Sequence, residues 1–460
     1  MKSSYLKYSE SERAELEVLN AGYREFLDAG KTERECADEA VRLAQSYGFV
    51  DLNALLQEGN MLEPGDRVYS VNMGKGILLA VIGEEPMENG FNIVAAHIDS
   101  PRLDIKQNPL YEDGGLAFLD THYYGGIKKY QWVTIPLAIH GVVVKKDGST
   151  VKINIGEDED DPVFCISDLL IHLSQDQLKK TGALVVEGEA LNVLIGSEPL
   201  NDEDKDAVKE NIINIIQEKY NFSEEDFISA ELEVVPAGRA REMGLDRSMT
   251  LAYGQDDRSC AYPAIEAILG IEDIPSRTAI CILADKEEIG SVGATGMEAK
   301  FFENTVAELM NAAQEYSELK LRRALRRSMM LSADVTAAFD PNYSDAFEKN
   351  NAAYLGAGIS FSKYTGARGK SGSNDANAEY IAKIRRIMEE GNVHFQTSEL
   401  GKVDKGGGGT IAFICSLYGM EVIDCGVPVL SMHAPFEITS KADIYEAYKC
   451  YSSFFMSDGR

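Results

Sequence analysis

The segment ILADKEEIGSVGA, residues 282–294, runs from an apolar stretch directly into acidic side chains. The apolar part, which begins at TAICILAD, residues 278–285, is short and predicts a buried strand. Asp285, Glu287 and Glu288 then lie together at the end of that strand. Adjacent acids near a buried strand end repel each other and cost stability unless positive charge compensates them. The sequence therefore has to provide a counter-charge at this strand end.

Buried strands and helices alternate along much of the chain. Amphipathic helices are predicted within residues 5–60, with a break near Gly30-Lys31, and the strands GILLAVIG and GFNIVAAHID follow. Further strands are predicted at TAICILAD, SMMLSADV, GISFSK, NVHFQT and EVIDCGVP, and helices near 257–270, 299–317, 375–390, 409–418 and 440–455. This alternation favours an α/β sandwich with a largely parallel central sheet.

The middle of the chain has a different character. Residues 131–156, QWVTIPLAIHGVVVKKDGSTVKINIG, alternate in polarity and contain the hairpin turn signal Asp147-Gly148. We therefore predict one α/β domain formed by residues 1–102 and 246–460, interrupted by a mostly β insert at residues 103–245. The length of 460 residues agrees with two domains, because a single core rarely grows that large.

Composition excludes several classes of partner. The chain has 75 acidic and 45 basic residues, a formal charge of −30, which argues against binding to nucleic acid or to an anionic membrane. The seven cysteines are odd in number and form no CxxC pair, so a reducing, cytoplasmic location is expected. The polar N-terminal segment has no signal-peptide core, and no apolar run is long enough for a membrane helix.

Other predicted strands end in the same way as the first one. In open α/β sheets, ligands collect at the carboxyl ends of strands, and histidine and carboxylate are the side chains that zinc or manganese prefer. The candidate ligands that follow these apolar segments are His97, Asp99, Asp256, Asp257, Asp285, Glu287, Glu288, Asp334 and His433. Their shared position predicts a metal centre.

Each candidate also has a purely structural explanation. A histidine after a strand is usually a hydrogen-bonded core or surface residue, and Asp256-Asp257 could form the N-terminal cap of a helix. Asp334 could cap a turn. The recurrence of the pattern, and the two adjacent glutamates 287 and 288, favour the metal interpretation.

A charge balance favours two divalent ions over one. Asp256, Glu288 and Asp334 would offset three of four positive charges, while His97 and His433 bind as neutral imidazoles. The remaining charge suits a bound hydroxide, because metals lower the pKa of water. Glu287 is left without a metal, which suits a general base. This assignment provides the counter-charge that the first segment requires.

Six blocks of the chain carry a resemblance to a known family. They are AAHIDSPRLDIK, GQDDRSCAYPAIEA, DKEEIGSVGATG, SADVTAAFDPNY, GISFSKYTG and LSMHAPFEI. In this order they resemble the aminopeptidase I / aspartyl aminopeptidase family of two-zinc metallopeptidases. The resemblance implies a three-layer α/β/α catalytic sandwich with an inserted β-rich dimerisation domain. It also implies hydrolysis of the N-terminal residue from peptides with free N-termini, and a homo-oligomer, a dodecamer built from dimers.

The resemblance also implies roles for the candidate residues. His97 and Asp334 would hold one ion, Glu288 and His433 the other, and Asp256 would bridge them. Asp257 receives no ligand role. Asp99 would orient the imidazole of His97, and Glu287 would be the catalytic general base. Zinc is the expected metal, and manganese and cobalt are alternatives because they accept the same ligands.

Two further residues are assigned to substrate binding. His172, in the insert, matches a histidine that reaches the active site of a neighbouring subunit in relatives. Lys363, in the block SKYTG, would suit an acidic N-terminal residue of the substrate. The segment KVDKGGGGTIA, residues 402–412, departs from the pattern of the family, so the preference for acidic residues stays open.

Other functions remain as alternatives at this point. The same sandwich could carry a zinc carboxypeptidase or a deacylase, or the chain could be a catalytically silent assembly protein. The four glycines 406–409 lack the GxxxxGK[ST] and GxGxxG patterns, which disfavours a nucleotide site. A close approach of backbone to substrate explains these glycines better.

Overall fold

The computed structural model describes residues 3–201, 205–366 and 368–459. The chain divides into two compact units. The first contains the residues up to Asp99, Ala240–Met432 and the residues from Glu437 onward, and the second contains Ser100–Arg239 and His433–Phe436. The insert predicted from the sequence spans 103–245, close to the main segment of the second unit.

The helices and strands of the described residues have the following bounds. The α-helices are α1 Glu10–Ala29, α2 Glu33–Ser46, α3 Leu52–Gln57, α4 Ala207–Tyr220, α5 Gln255–Leu269, α6 Phe301–Ala312, α7 Glu318–Arg327, α8 Ala378–Glu390, α9 Ile411–Ser416 and α10 Lys441–Phe455. The strands are β1 Val50–Asp51, β2 Arg67–Asn72, β3 Gly76–Val81, β4 Asn92–His97, β5 Arg102–Asp113, β6 Leu116–Tyr124, β7 Leu137–Val144, β8 Thr150–Ile155, β9 Val193–Gly196, β10 Ala230–Pro236, β11 Arg241–Met243, β12 Met249–Ala252, β13 Ala279–Ala284, β14 Met329–Ser332, β15 Thr336–Ala337, β16 Ile359–Ser362, β17 Phe395–Thr397, β18 Glu421–Gly426, β19 Pro428–Leu430 and β20 Glu437–Ser440.

A nine-stranded sheet forms the centre of the first unit, in the order β1-β2-β3-β13-β4-β14-β18-β16-β17. The central strands β13, β4, β14 and β18 are parallel to their neighbours in this group. Because they are parallel, their carboxyl ends share one edge of the sheet and their amino ends share the other. We call these the carboxyl edge and the amino edge.

Strand β4 shows why the central parallel strands appear in the sequence as continuous apolar runs. Successive side chains of a strand point to opposite faces of a sheet. Ile93 and Ala95 accordingly pack into one hydrophobic cluster, while Val94 and Ala96 pack into another. A strand that is buried on both faces needs apolar side chains at every position.

Helices cover both faces of this sheet. The cluster that contains Val94 also contains buried side chains of α1, α2, α5, α8 and α10. The cluster that contains Ile93 contains those of α3, α6, α7 and α9. The predicted α/β sandwich is therefore confirmed. A smaller sheet with the order β11-β12-β20-β19-β15 also belongs to the first unit.

The second unit is built on an antiparallel sheet. Its strands follow the order β8-β7-β10-β5-β6-β9, and α4 contacts β5, β6 and β9. The turn Asp147-Gly148 connects β7 to β8, as the hairpin signal predicts. No helix of the described residues has the length and apolar character required to cross a membrane.

Candidate metal centre

The carboxyl edge brings together side chains that are far apart in the chain. Strand β4 ends at His97, and Asp285 directly follows β13. Asp334 lies two residues beyond the end of β14. Each side chain follows a buried strand, so the sheet holds the three segments side by side at one edge. This arrangement follows from the parallel pairing of the strands.

His97 is the centre of the cluster and is almost fully buried. Its Nε2 lies 3.2 Å from Oδ1 of Asp256, 3.8 Å from Oε2 of Glu287 and 4.0 Å from Oδ1 of Asp334. Its Nδ1 faces the other way, 3.1 Å from the backbone carbonyl oxygen of Asp99 and 3.3 Å from Oδ1 of the same residue. An oxygen that accepts a hydrogen bond from Nδ1 leaves the lone pair of Nε2 for a metal. The imidazole is therefore oriented for coordination through Nε2.

Asp99 also connects this strand end to the next one. The backbone N–H groups of Glu287 and Glu288 donate to Oδ1 and Oδ2 of Asp99, each over 3.2 Å. These two glutamates begin a 3₁₀ turn, Glu287–Ile289, that follows β13. One buried carboxylate thus orients an imidazole and holds the backbone that carries both glutamates.

The start of α5 contributes two more acids. Oδ2 of Asp257 accepts from the backbone N–H of His97 over 3.2 Å. The backbone N–H of Asp256 donates to Oε2 of Glu437 over 2.9 Å. Both aspartates have non-helical dihedral angles although they lie within the bounds of α5. This local geometry lets Asp256 face Nε2 of His97 while Asp257 contacts its backbone.

These contacts produce groups with metal-ligand geometry. One oxygen or nitrogen from each of His97, Glu287 and Glu288 lies within 4.8 Å of the others. The same holds for His97, Asp257 and Asp334. Imidazole with several carboxylates is a donor set that suits zinc and also manganese. The residues present therefore fit divalent cations.

Electrostatics at this edge favours a bound cation. Burial raises the pKa of Asp257 well above its usual value, and burial with the charge of Glu287 does the same to the pKa of Asp334. Burial opposes charging of His97, but hydrogen bonds to Asp256 and Asp99 outweigh it and raise its pKa well above the usual value. A divalent ion favours ionised carboxylates and neutral imidazole, which is the state in which both bind metal.

Two members of this environment receive no ligand role from the family resemblance. Asp257, to which the resemblance gives no ligand role, has its carboxylate within the group of His97 and Asp334. Arg258 is buried, and its Nη2 donates to the carbonyl oxygens of Lys31 and Ile98 over 3.0 and 3.2 Å. Arg258 follows Asp256 and Asp257 directly in the chain, so a buried cation adjoins two of the acids in sequence. The DDR triplet is the only sequence signal for it.

His433, His172 and Lys363 are the remaining predicted site residues. His433 belongs to the short segment of the second unit, where its Nδ1 lies 2.8 Å from the carbonyl oxygen of Gly126. His172 is exposed, in a 3₁₀ turn of the second unit. Lys363 follows β16, with half of its side chain exposed and its Nζ 3.5 Å from Oδ1 of Asp375.

Comparison with known proteins identifies the family. The profile described as aminopeptidase I zinc metalloprotease (M18) matches residues 26–455. The chain belongs to this family. A probable M18 family aminopeptidase 1 of Clostridium acetobutylicum is 59% identical over 454 residues, which cover 98% of this chain and 97% of that protein. The predicted family and the predicted class of enzyme, a metallo-aminopeptidase, are therefore confirmed.

Solved structures of M18 aminopeptidases agree with this fold. An M18 aminopeptidase of Thermotoga maritima is 45% identical, has a TM-score of 0.94, and covers 99% of this chain and 98% of its own. Aminopeptidase I of C. acetobutylicum is 57% identical with a TM-score of 0.92, covering 99% of both chains. The mApe1 dodecamer of S. cerevisiae is only 19% identical, with a TM-score of 0.78 over 96% of this chain and 97% of that one, and shows the fold alone.

Proposed function

We propose that this M18 aminopeptidase removes the N-terminal residue of peptides with two divalent metal ions, and that Glu287 is the general base. The observation that carries the proposal is the convergence at the carboxyl edge. His97, Glu287 and Glu288 present their ligand atoms within 4.8 Å of one another, and Asp99 contacts all three of these residues at the two strand ends that carry them.

The proposed ligands follow the resemblance. His97 and Asp334 would hold one ion, Glu288 and His433 the other, and Asp256 would bridge both. The close approach of His97 Nε2 to Asp256 and Asp334, 3.2 and 4.0 Å, supports the first part of this assignment. Zinc is the metal named in the family description, and manganese and cobalt are the alternatives. When bound, such ions polarise the scissile carbonyl and increase the acidity of water.

Glu287 would move the proton. In this proposal its carboxylate accepts a proton from the attacking water and delivers it to the nitrogen of the leaving amine, so the carboxylate is regenerated in each turnover. Its Oε2 lies 3.8 Å from Nε2 of His97, and its backbone is held by Asp99. A base attached to a fixed turn keeps the same distance to the reacting atoms. Asp99 is a positioning residue because it acts through His97 and through this turn.

The substrate would be recognised by its free amine. Divalent ions held at this edge would accept a free, unprotonated amine as a ligand. The amide nitrogen of an N-acetylated peptide is a poor ligand for such ions. We also propose substrate-binding roles for His172 and Lys363. Lys363 shares Asp375 with Lys370, whose Nζ lies 3.0 Å from the same carboxylate. The charge of Lys363 is therefore partly offset, and a preference of the enzyme for acidic N-terminal residues is a separate question.

His172 would act in a homo-oligomer. It is exposed on the second unit, and its neighbours Leu170, Ile171 and Leu173 are also exposed, with fractions of 53%, 66% and 67%. A run of exposed apolar side chains is typical of a protein contact surface. We propose that a second copy covers this run in a dodecamer built from dimers, as the family resemblance implies, and that His172 then reaches the neighbouring active site. The S. cerevisiae mApe1 structure is described as a dodecamer.

A substrate panel tests the proposed function. Aminoacyl substrates with free and with N-acetylated amines are assayed after chelation and after addition of zinc, manganese or cobalt. We expect loss of activity on chelation, recovery with a divalent ion, and hydrolysis of the free-amine substrates only. Preferential hydrolysis of the acetylated substrates would contradict an aminopeptidase, and full activity of the chelated protein would contradict the metal centre.

A further inference from the structure

A cleft of about 570 Å³ lies at the amino edge of the central sheet. It is lined by four cationic side chains, Arg277, Arg326, Arg327 and Lys383. These residues come from the segment before β13, from the last turn of α7 and from α8. Four converging cations are unexpected in a chain with a formal charge of −30.

Three carboxylates, Glu85, Glu421 and Asp458, line the same cleft as the four cations. The charges of Glu85 and Asp458 attract Arg277, and those of Glu421 and Asp458 attract Lys383. The hydrogen bonds of two of these acids go to neutral donors. Glu421 accepts from Nδ2 of Asn377 over 3.0 Å, and Glu85 accepts from Oγ of Ser276 and Nδ2 of Asn89, each over 3.1 Å.

Three of the cations lack a carboxylate at ion-pair distance. Within the described ranges 3–201, 205–366 and 368–459, none of Arg277, Arg326 and Lys383 has a carboxylate oxygen within 4.0 Å. Only Arg327 is paired, with Oε1 of Glu88 at 3.6 Å. Among the described residues, the carboxylates of the cleft therefore attract Arg277 and Lys383 from beyond ion-pair distance and form no direct ion pair with them.

Backbone contacts hold two of these cations in place. Nη1 of Arg277 donates to the carbonyl oxygen of Arg327 over 3.3 Å, and Nζ of Lys383 donates to that of Gly459 over 2.6 Å. Nε of Arg277 is buried and has no hydrogen-bond partner among the described residues. Burial lowers the pKa of Lys383, and the nearby charges of Arg277 and Arg386 lower it further. Like charges are thus held together in partly buried positions.

The end of a helix explains only part of this arrangement. Arg326 and Arg327 lie in the last turn of α7, where cations interact favourably with the helix dipole. Arg277 precedes β13, and Lys383 lies inside α8. Neither of these two belongs to the last turn of a helix. A ligand with negative charge accounts for all four residues.

We propose that this cleft binds a phosphate group. A phosphate presents several acceptor oxygens to guanidinium and ammonium donors that come from different directions, as these do. The cleft volume of about 570 Å³ leaves room for a small phosphorylated molecule as well as for inorganic phosphate. None of the described side chains that line it is aromatic, so stacking of a nucleotide base is not part of the proposal.

The cleft and the metal centre lie at opposite ends of the same strands. Asn92 begins β4 near the cleft, and His97 ends it at the metal centre. Six residues of extended strand span about 20 Å. A phosphate in the cleft therefore does not touch the metal ligands, and its binding has to be measured directly.

Titration calorimetry of the metal-loaded protein with inorganic phosphate at constant ionic strength tests the proposal. We expect saturable binding that Arg326→Gln and Lys383→Gln each weaken about tenfold, the loss of one charged hydrogen bond. Arg322→Gln is the matched control, because Arg322 lies on the same helix, is mostly exposed and pairs with Glu318 outside the cleft. It should bind phosphate as the wild type does.

Two outcomes would overturn the proposal. One is the absence of saturable binding to the wild type. The other is unchanged binding in both cleft variants, which would place the phosphate elsewhere, for example on the metal ions. Arg326 is exposed, so its replacement leaves the fold intact and the test holds even if Lys383→Gln is unstable. Failure of this test leaves the proposed peptidase function unaffected.

Discussion

The two edges of the central sheet collect different ionisable side chains. At the carboxyl edge, His97 is surrounded by Asp99, Asp256, Glu287 and Asp334. At the amino edge, Arg277, Arg326, Arg327 and Lys383 line one cleft together with three carboxylates. The acids of the carboxyl edge repel one another and favour a bound cation, whereas the cations of the amino edge are partly offset by the carboxylates of their own cleft. The length of one strand separates the two groups of side chains.

The edges also differ in how firmly their side chains are held. The acids of the carboxyl edge are buried or partly buried and are connected by hydrogen bonds through Asp99. The cations of the amino edge come from loops and helices, and they contact mainly backbone carbonyl groups. Substitutions at the carboxyl edge should therefore affect activity most, and those at the amino edge should leave it unchanged.

The largest loss of activity is expected from Glu287→Gln. The neutral amide keeps the shape of the side chain but accepts no proton, so kcat should fall about 10²- to 10⁴-fold. Metal content, measured by atomic absorption, should stay the same because Glu287 is not a proposed ligand. Glu85→Gln at the amino edge is the matched control and should keep normal kcat. Near-normal turnover of Glu287→Gln would contradict the role of Glu287 as the general base. A loss of metal from this variant would indicate that Glu287 is a metal ligand.

A smaller effect is expected from Asp99→Asn. The amide replaces one acceptor oxygen by a donor, so either the imidazole of His97 or the backbone of residues 287–288 loses its partner. Loss of such an outer contact lowers metal affinity about 10- to 100-fold, measurable by competition with a chelator. Asp424→Asn removes a buried carboxylate from β18 without touching this network. Equal metal affinity of the two variants would contradict the role of Asp99.

Gly426→Ala probes the packing that holds Asp334. A Cβ added at Gly426, at the end of β18, would overlap with the carbonyl oxygen of Asp334. The backbone of Asp334 has to move, so stability should fall by about 3 kcal/mol in denaturant unfolding. Metal content should fall as well. Gly408→Ala is the control, since an added Cβ meets nothing within 4 Å there. Wild-type stability of Gly426→Ala would contradict this close contact.

The smallest expected effect is a change in how the free energy of unfolding depends on pH. It comes from a carboxylate outside the groups that could hold a metal. Burial raises the pKa of Asp424 from its usual value to about 6, although Oγ1 of Thr410 donates to it over 2.6 Å. The folded state thus binds a proton more tightly than the unfolded chain. The stability from this group is full below about pH 4 and is lost as the pH rises through about 6.

Asp424→Asn should remove this dependence. The wild type loses stability as the pH rises from 4 to 7, and the variant does not. The difference in the free energy of unfolding, variant minus wild type, should therefore grow by about 2 kcal/mol over this range. Urea unfolding at several pH values measures the difference. A constant difference across this range would show that Asp424 stays ionised in the folded protein.

Much of the carboxyl edge could be predicted from the sequence. Apolar runs predict β4, β13 and β14, and the ligands follow them directly, so the location of His97 and Asp334 requires only that the strands be parallel. The predicted helix at 299–317 is less accurate, since α6 ends at Ala312. Arg258 could not be predicted as a buried cation, because its burial depends on the carbonyl groups of Lys31 and Ile98, which are distant in sequence.

The sequence by itself determined the α/β alternation, the family and the residue types that end each strand. These are local properties, because apolar periodicity and motif spacing lie within short segments. Only the tertiary structure decided that Asp99 holds two strand ends, that Asp257 joins a group of residues able to hold a metal, and that Arg277 and Lys383 meet at the amino edge. Such contacts join segments that are remote in the chain, and their geometry exists only after the strands have paired.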